Sequence, residues 1–151
     1  MKLVRRLLLF FHSFVGIGAL AGGLAAITDP YEPMGVTVDA LKLSPFNSFL
    51  IPGIILFTVI GLGNIIAAIT LWKNFKYQGY MSSVFSWALV IWIVVQCIML
   101  QDIVALHIIY FVIGLVEAFL SAIILFKQGL FPTGLIMDLL GKSGIKENLK
   151  N

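Results

Sequence analysis

Four apolar stretches make up most of this chain, and each is about as long as the ~20 residues that an α-helix needs to cross a bilayer. They cover approximately residues 7–27, 49–72, 81–100 and 103–126. The 151 residues are 60% hydrophobic and 11% charged, whereas soluble domains carry about one quarter charged residues. A chain this short cannot bury so much apolar surface in a water-soluble core. The sequence therefore predicts an all-α membrane protein, a four-transmembrane-helix bundle forming a single integral membrane domain over residues 1–151.

The third and fourth stretches are separated only by Gln101 and Asp102. Two helices joined by a tight hairpin would place these polar residues at the membrane surface. One long helix would place them deep in lipid without partners, which is costly. We therefore predict a hairpin.

The basic residues predict how the spans are oriented. Only Lys42 lies in the segments that follow the first and third spans. The other nine precede the first span, lie between the second and third, or follow the fourth: Lys2, Arg5, Arg6, Lys73, Lys76, Lys127, Lys142, Lys146 and Lys150. The positive-inside rule then predicts that both termini are cytoplasmic, in a multi-pass protein of the plasma membrane. The net charge of +3 reflects this distribution and does not indicate a nucleic-acid partner.

The basic N-terminus is also typical of a signal peptide, with Ala19-Leu20-Ala21 as a candidate cleavage site. The apolar core of a signal peptide is about 7–15 residues long, and this stretch continues to Ile27. We therefore expect the first span to be retained.

The segment from Thr28 to Gly53 is predicted to be a long, ordered external loop. Ser44-Pro45 resembles the start of the second helix, and Pro52-Gly53 is a candidate kink within it. The loop is either a lid over one end of the bundle or a mouth over a ligand site. Its three acids are a weak cation-binding signal.

Several residues of the loop and the spans also resemble those of uncharacterised small four-span bacterial membrane proteins. The resemblance covers roughly the middle two thirds of the chain. It is carried by Asp29-Pro30, Gly35, Ser44-Pro45-Phe46, Phe49-Leu50-Ile51-Pro52-Gly53, Gly61, Asn64, Trp92, Gln96 and Tyr110. It implies the four-span topology and implies no activity, cofactor or ligand.

Polar and small residues of the spans fall on helical stripes. In the fourth span, steps of three and four residues connect His107, Tyr110, Gly114, Glu117 and Ser121. Such steps mark one helix face that packs on its neighbours. Small residues let two helix backbones approach closely, and the candidate packing positions are Gly16, Gly18, Gly22, Gly23 and Gly114.

Glu117 is the only acid inside an apolar span, and its depth limits its partners. At 1.5 Å per residue it lies about 15 Å from the edge at Lys127, and Asn64 lies about 13 Å from Lys73. His12 is expected about one turn lower. We predict an intramembrane polar site of Glu117, Asn64 and His12, with Tyr110 and Ser121 on the same stripe. Glu117 is expected to face inward, to be neutral and to be hydrogen-bonded near Asn64.

A second polar group is expected near the outer edge, at His107, Gln96 and Asp29. No cofactor motif is visible in the sequence. No metal site is predicted either, because a His–Glu pair alone is a poor set of metal ligands. The single cysteine, Cys97, excludes an intrachain disulfide.

Two functions fit this pattern. The first is a non-enzymatic accessory protein that docks a second copy or a larger membrane protein, and it is favoured by the glycines of the first span. The second is a small-molecule or proton-linked binding or transport-related protein that uses the polar stripe around Glu117. An enzyme ranks third because the sequence contains no convergent nucleophile, metal set or cofactor motif.

Residues 127–151 are predicted to form a cytoplasmic tail. Within them, Thr133 to Lys146 sets Leu135, Ile136 and Leu139 against charged residues. This pattern predicts an interfacial amphipathic helix, which is too short to span a bilayer.

Overall fold

Four long helices form the molecule in a computed structural model that describes residues 1–129. They are α1 (Lys2–Thr28), α2 (Leu50–Trp72), α3 (Gln78–Leu100) and α4 (Ala105–Gln128). Each is long and apolar enough to cross a membrane, and residues 1–129 contain no strand. The predicted all-helical chain with four candidate spans is confirmed. The interfacial helix expected over residues 133–146 lies outside the described residues.

The helices alternate in direction and pack in a ring, with α1 on α2, α2 on α3, α3 on α4 and α4 on α1. Leu8, Leu71 and Ile124 form a buried cluster at the end of the bundle that holds residue 1, which we call the N-terminal end. A second cluster of Ala26, Leu41, Phe49 and Met99 lies at the opposite end, which we call the loop end. Helices α1, α2 and α4 therefore supply the apolar cluster at the N-terminal end, and α1, α3 and the α1–α2 segment supply the one at the loop end.

The α3–α4 connection consists of residues 101–104 alone. Gln101 ends α3 in the left-handed conformation, with φ 52°. Such a residue reverses the chain after a helix. The two apolar stretches are therefore separate helices, as Gln101 and Asp102 predicted.

The segment between α1 and α2 contains two short 3₁₀ turns, Pro33–Gly35 and Val38–Leu41. Leu41 is only 2% exposed because it packs at the loop end of the helices. The expected helix start at Ser44-Pro45 is wrong, since α2 begins at Leu50. Ser44 Oγ instead accepts a hydrogen bond from Phe46 N at 3.2 Å, which is a local turn.

Helix α2 contains an irregular segment, but this segment does not lie at Pro52-Gly53, where the sequence predicted a kink. Pro52 is the third residue of the helix, where its missing N–H would have no intrahelical partner. Residues Leu56–Leu62 form a π-helical segment instead. Side chains supply extra donors to one carbonyl before the segment and to one within it: Thr58 Oγ1 to Ile54 O at 2.7 Å, and Asn64 Nδ2 to Ile60 O at 2.8 Å. Segments of this kind occur frequently at functional sites.

Glycines bring α1 and α2 into very close contact. A Cβ atom at Gly23 would lie 2.7 Å from the backbone N of Phe57, and one at Gly53 would lie 2.7 Å from Ala26 Cβ. A Cβ at Gly16 would lie 2.7 Å from Ile65 Cδ1. The π-helical segment therefore packs directly on the backbone of α1.

Candidate functional site

A fully buried polar cluster joins all four helices at the bundle axis. His12 of α1 is its centre. Its Nδ1 lies 2.6 Å from Asn64 Oδ1 of α2 and 3.2 Å from Glu117 Oε1 of α4. Its Nε2 lies 2.6 Å from Ser82 Oγ of α3. All four side chains are 0% exposed. We call these residues the His12 cluster.

The hydrogen bonds around His12 define a consistent set of donors. The Asn64 amide nitrogen donates to Ile60 O, so Oδ1 is the atom that faces His12 and accepts. His12 Nδ1 therefore carries a hydrogen. In a neutral imidazole Nε2 is then an acceptor, and the Ser82 hydroxyl donates to it. A neutral His12 is thus satisfied at both nitrogens.

Glu117 is the least satisfied member of the cluster. Both of its carboxyl oxygens are buried, and neither has a hydrogen-bond partner among residues 1–129. The closest polar atom recorded is His12 Nδ1, at 3.2 Å. The sequence reasoning gave Glu117 no basic neighbour and placed His12 about one turn away. That depth estimate used Arg6, Lys73 and Lys127 as membrane edges. Long basic side chains extend toward the interface, so such edges shift by about one turn.

Ser82 is the member that sequence reasoning left out of the candidate site. A serine on a membrane helix is common, and only the direct contact with His12 distinguishes it. The spacing did carry a signal, because Ser82 and Ser86 are four residues apart and both are 0% exposed. Ser86 Oγ donates to Ser82 O at 2.7 Å, within the same helix.

The remaining candidates lie apart from His12. Ser121 is fully buried, but its hydroxyl donates to Ala118 O of its own helix at 2.8 Å. Tyr110 stacks on Phe14, with ring centroids 6.0 Å apart. Asp29 is exposed, and its Oδ1 accepts from Glu32 N at 3.2 Å in the turn after α1.

A cavity of about 410 Å³ lies between the His12 cluster and the loop end. Ligand pockets commonly have volumes of about 300–1,000 Å³. The walls come from all four helices, and Val36 and Ala40 of the α1–α2 segment line it as well. Val15, Ile60 and Leu89 form the side nearest the cluster and are at most 2% exposed. The carbonyl of Ile60 also accepts a hydrogen bond from the Asn64 amide, so a residue of the cavity wall is bonded directly to the cluster.

Polar side chains are few in this cavity, and they include most of the predicted outer group. Gln96, Tyr110, His107 and Asp102 line it, and so does Trp92. Trp92 is 7% exposed, and its Nε1 has no hydrogen-bond acceptor within residues 1–129. From the sequence, Trp92 was noted only in the resemblance to four-span bacterial proteins, because no sequence pattern shows that an indole N–H lacks an acceptor.

The glycines that were predicted to be packing positions lie against other residues of this same chain. A Cβ at Gly18 would collide with the Tyr110 hydroxyl of α4, and one at Gly22 would lie 3.5 Å from Leu56 Cδ2 of α2. A Cβ at Gly114 would lie 2.8 Å from Val90 Cγ2 of α3. These contacts lie inside the bundle, so the glycines of α1 no longer indicate a docking surface for another protein.

Within residues 1–129, no group of three or more His, Cys, Asp or Glu side chains is arranged to hold a metal ion. The chain matches no family model, and comparisons with curated proteins and with solved structures give no match either. The resemblance to small bacterial four-span proteins therefore stays a prediction, and function must be inferred from the cluster and the cavity themselves.

Proposed function

We propose that this chain is a multi-pass plasma-membrane protein, with both termini in the cytoplasm, that binds a small membrane-soluble molecule in the interhelical cavity. The observation that carries the proposal is the apolar cavity of about 410 Å³, which is lined by all four helices and has few polar side chains. An apolar pocket with a few polar groups is the usual form of a small-molecule site.

The surroundings of the cavity support binding over a purely structural role. One wall includes Leu56 and Ile60 of the π-helical segment. Another part belongs to the α1–α2 segment, which is packed onto the helix ends through Leu41. A well-packed core leaves few voids larger than a water molecule, because each void forfeits dispersion contacts. Because this cavity is partly open to its surroundings, an apolar molecule from the bilayer can enter it and restore those contacts.

The orientation rests on charge. The nine basic residues outside the loop end would all face the cytoplasm. The cavity would then lie toward the outer leaflet beneath the α1–α2 segment. An accessory role would need a helix face that is free to dock another protein. The glycines of α1 that suggested such a face already pack against Tyr110, Leu56 and Phe57 of the same chain.

The proposal is tested by filling the cavity. Ala19 lines it and is 6% exposed, whereas Ala21, two residues along α1, is exposed. Benzophenone, a small uncharged ketone, would be titrated into the protein in lipid nanodiscs while thermal stability is followed. We expect saturable stabilisation of the wild type. Ala19→Leu should weaken it about tenfold, because the added carbons occupy space that the ketone needs.

Ala21→Leu is the matched control and should bind benzophenone as the wild type does. Ala40→Leu fills the same cavity from the α1–α2 segment and guards against a packing defect peculiar to α1. Unsaturable stabilisation, or equal binding by all variants, would contradict a binding site in this cavity.

A further inference from the structure

The cavity is polar toward the loop end and apolar toward the His12 cluster. Val15, Ile60 and Leu89 each lie at least ten residues along their helices from the loop end, which is about 15 Å at 1.5 Å per residue. Four polar lining side chains lie instead close to the ends of α3 and α4 at the loop end: Gln96, Asp102, His107 and Tyr110. This gradient fits a molecule with a polar head and an apolar body.

Asp102 gives the polar end of the cavity a negative charge. Within residues 1–129 it is the only acid that lines the cavity, and no lysine or arginine lines it. Asp102 is exposed, and it has no hydrogen bond or ion pair with another residue in that range. Its carboxylate is therefore free to pair with a charged group of a ligand at the mouth of the cavity.

The other polar side chains at this end do not offset that charge. His107 Nδ1 accepts a hydrogen bond from the backbone N–H of Val104 at 3.4 Å. A ring nitrogen that accepts carries no hydrogen, so this bond holds the imidazole neutral. Gln96 and Tyr110 are only partly buried, and each has a side-chain oxygen that can face a cation.

Charges around the cavity have the same sign as Asp102. The α1–α2 segment carries Asp29, Glu32 and Asp39, and its single basic residue, Lys42, is paired with Asp39 at 3.1 Å. The other basic residues of the described chain lie at the N-terminal end, about 30 Å or more along the helices. Salt screens exposed charges beyond about 8 Å, so those basic residues do not neutralise the loop end.

We propose that the cavity selects an amphiphilic cation, an apolar molecule with an ammonium-type positive charge, and that Asp102 is its counter-charge at the cavity mouth. The charged head stays beside the exposed carboxylate and keeps part of its hydration, which avoids the cost of a buried ion pair. The hydrocarbon body extends toward Val15 and Leu89. This inference rests on the proposed function, because it assigns the charge of the molecule that the cavity binds.

The test compares three benzophenones in nanodiscs of zwitterionic lipid, which differ in one para substituent: trimethylammoniomethyl, its uncharged isostere neopentyl, and the anionic sulfonatomethyl group. Affinities are measured by thermal stabilisation and referred to the probe concentration in the lipid phase, so that partitioning does not enter. We expect the wild type to prefer the cation over the isostere about three- to fivefold, the size of one ion pair at an exposed carboxylate. The sulfonate should bind more weakly than the isostere, because Asp102 repels it.

Asp102→Asn removes the charge and keeps the shape of the side chain, so the preference for the cation should disappear. Asp39→Asn is the matched control, because it removes the same charge from a loop-end side chain that is 73% exposed and does not line the cavity. It should keep the preference.

Equal binding of the cation and the isostere by the wild type would overturn this inference and leave the proposed function standing. A preference that survives Asp102→Asn, or that falls equally in Asp39→Asn, would do the same. Saturable binding of none of the three probes would contradict the proposed function itself.

Discussion

At the scale of single residues, His12 determines how the centre of the molecule is organised. One imidazole contacts three side chains, one from each of the other helices. Asn64 and Ser82 are satisfied by it, while the Glu117 carboxyl has only the 3.2 Å approach to Nδ1. Removing different members of the cluster should therefore have different costs.

His12→Leu should destabilise the protein most, because it leaves Asn64 Oδ1 and Ser82 Oγ without their partner. Glu117→Leu should cost less, at most about 1 kcal/mol, because its carboxyl has no hydrogen-bond partner to lose among residues 1–129. Ser121→Ala is the matched control, since its hydrogen bond stays within α4. The measurement is the free energy of unfolding in detergent. Three equal losses would show that the cluster does not join the helices.

Glu117→Gln separates the shape of this side chain from its charge. Two buried charges lose more hydration than a single approach returns, so we expect Glu117 and His12 to be a neutral pair. Gln then preserves stability. Infrared spectra at neutral pH should contain a protonated-carboxyl band that Glu117→Gln removes. A carboxylate band that disappears in that variant would instead identify an ion pair.

The helical spacing of polar residues in the sequence predicted part of this site. Steps of three and four residues placed Glu117 on the inner face, and depth matched it to Asn64. Ser82 and Trp92 could not be recognised in that way. Ser82 is distinguished by its contact with His12, and Trp92 by an indole N–H that has no acceptor within residues 1–129. Both features depend on how the four helices are rotated about their axes in the bundle.

At the scale of elements, hydropathy located the four helices because lipid requires about 20 apolar residues with internally bonded backbones. It could not locate the π-helical segment Leu56–Leu62, which has no hydropathy signal. Hydropathy placed the start of the second span at residue 49, next to the observed start at Leu50, whereas the residue types of Ser44-Pro45 wrongly predicted an earlier start because they form a turn. In the folded chain, Phe49 N bonds to Pro30 O at 2.8 Å, and α2 begins directly afterwards.

Two adjacent glycines test the close contact of α1 with the π-helical segment. A Cβ at Gly23 would lie 2.7 Å from the N and 2.8 Å from the Cα of Phe57, and backbone atoms cannot move aside cheaply. Gly23→Ala should therefore destabilise by about 1–3 kcal/mol. At Gly22 the nearest atom is Leu56 Cδ2 at 3.5 Å, so Gly22→Ala should be neutral or slightly stabilising. Unfolding measurements that give both variants the same stability would refute this packing.

At the scale of the whole molecule, the helix ends define two faces with different charge. Residue 1, the α2–α3 connection and the end of α4 share the N-terminal end, and the α1–α2 segment lies at the other. Reporter fusions after Trp72 and after Phe126 should both read cytoplasmic, and a fusion near Asp39 should read external. A reporter after Phe126 that reads external would refute the orientation, even if the bundle itself is unchanged.

Ligand binding in the cavity within the bundle is the central property proposed for this protein. Light-activated benzophenone forms covalent bonds to neighbouring C–H groups, so irradiation in nanodiscs followed by peptide mass spectrometry records where the probe resides. We predict saturable labelling at cavity residues such as Val15, Ala19 and Leu89, with a clear decrease in Ala19→Leu. The proposed binding site would be contradicted if labelling were confined to exposed residues such as Val84 and Phe119 and rose in proportion to probe concentration.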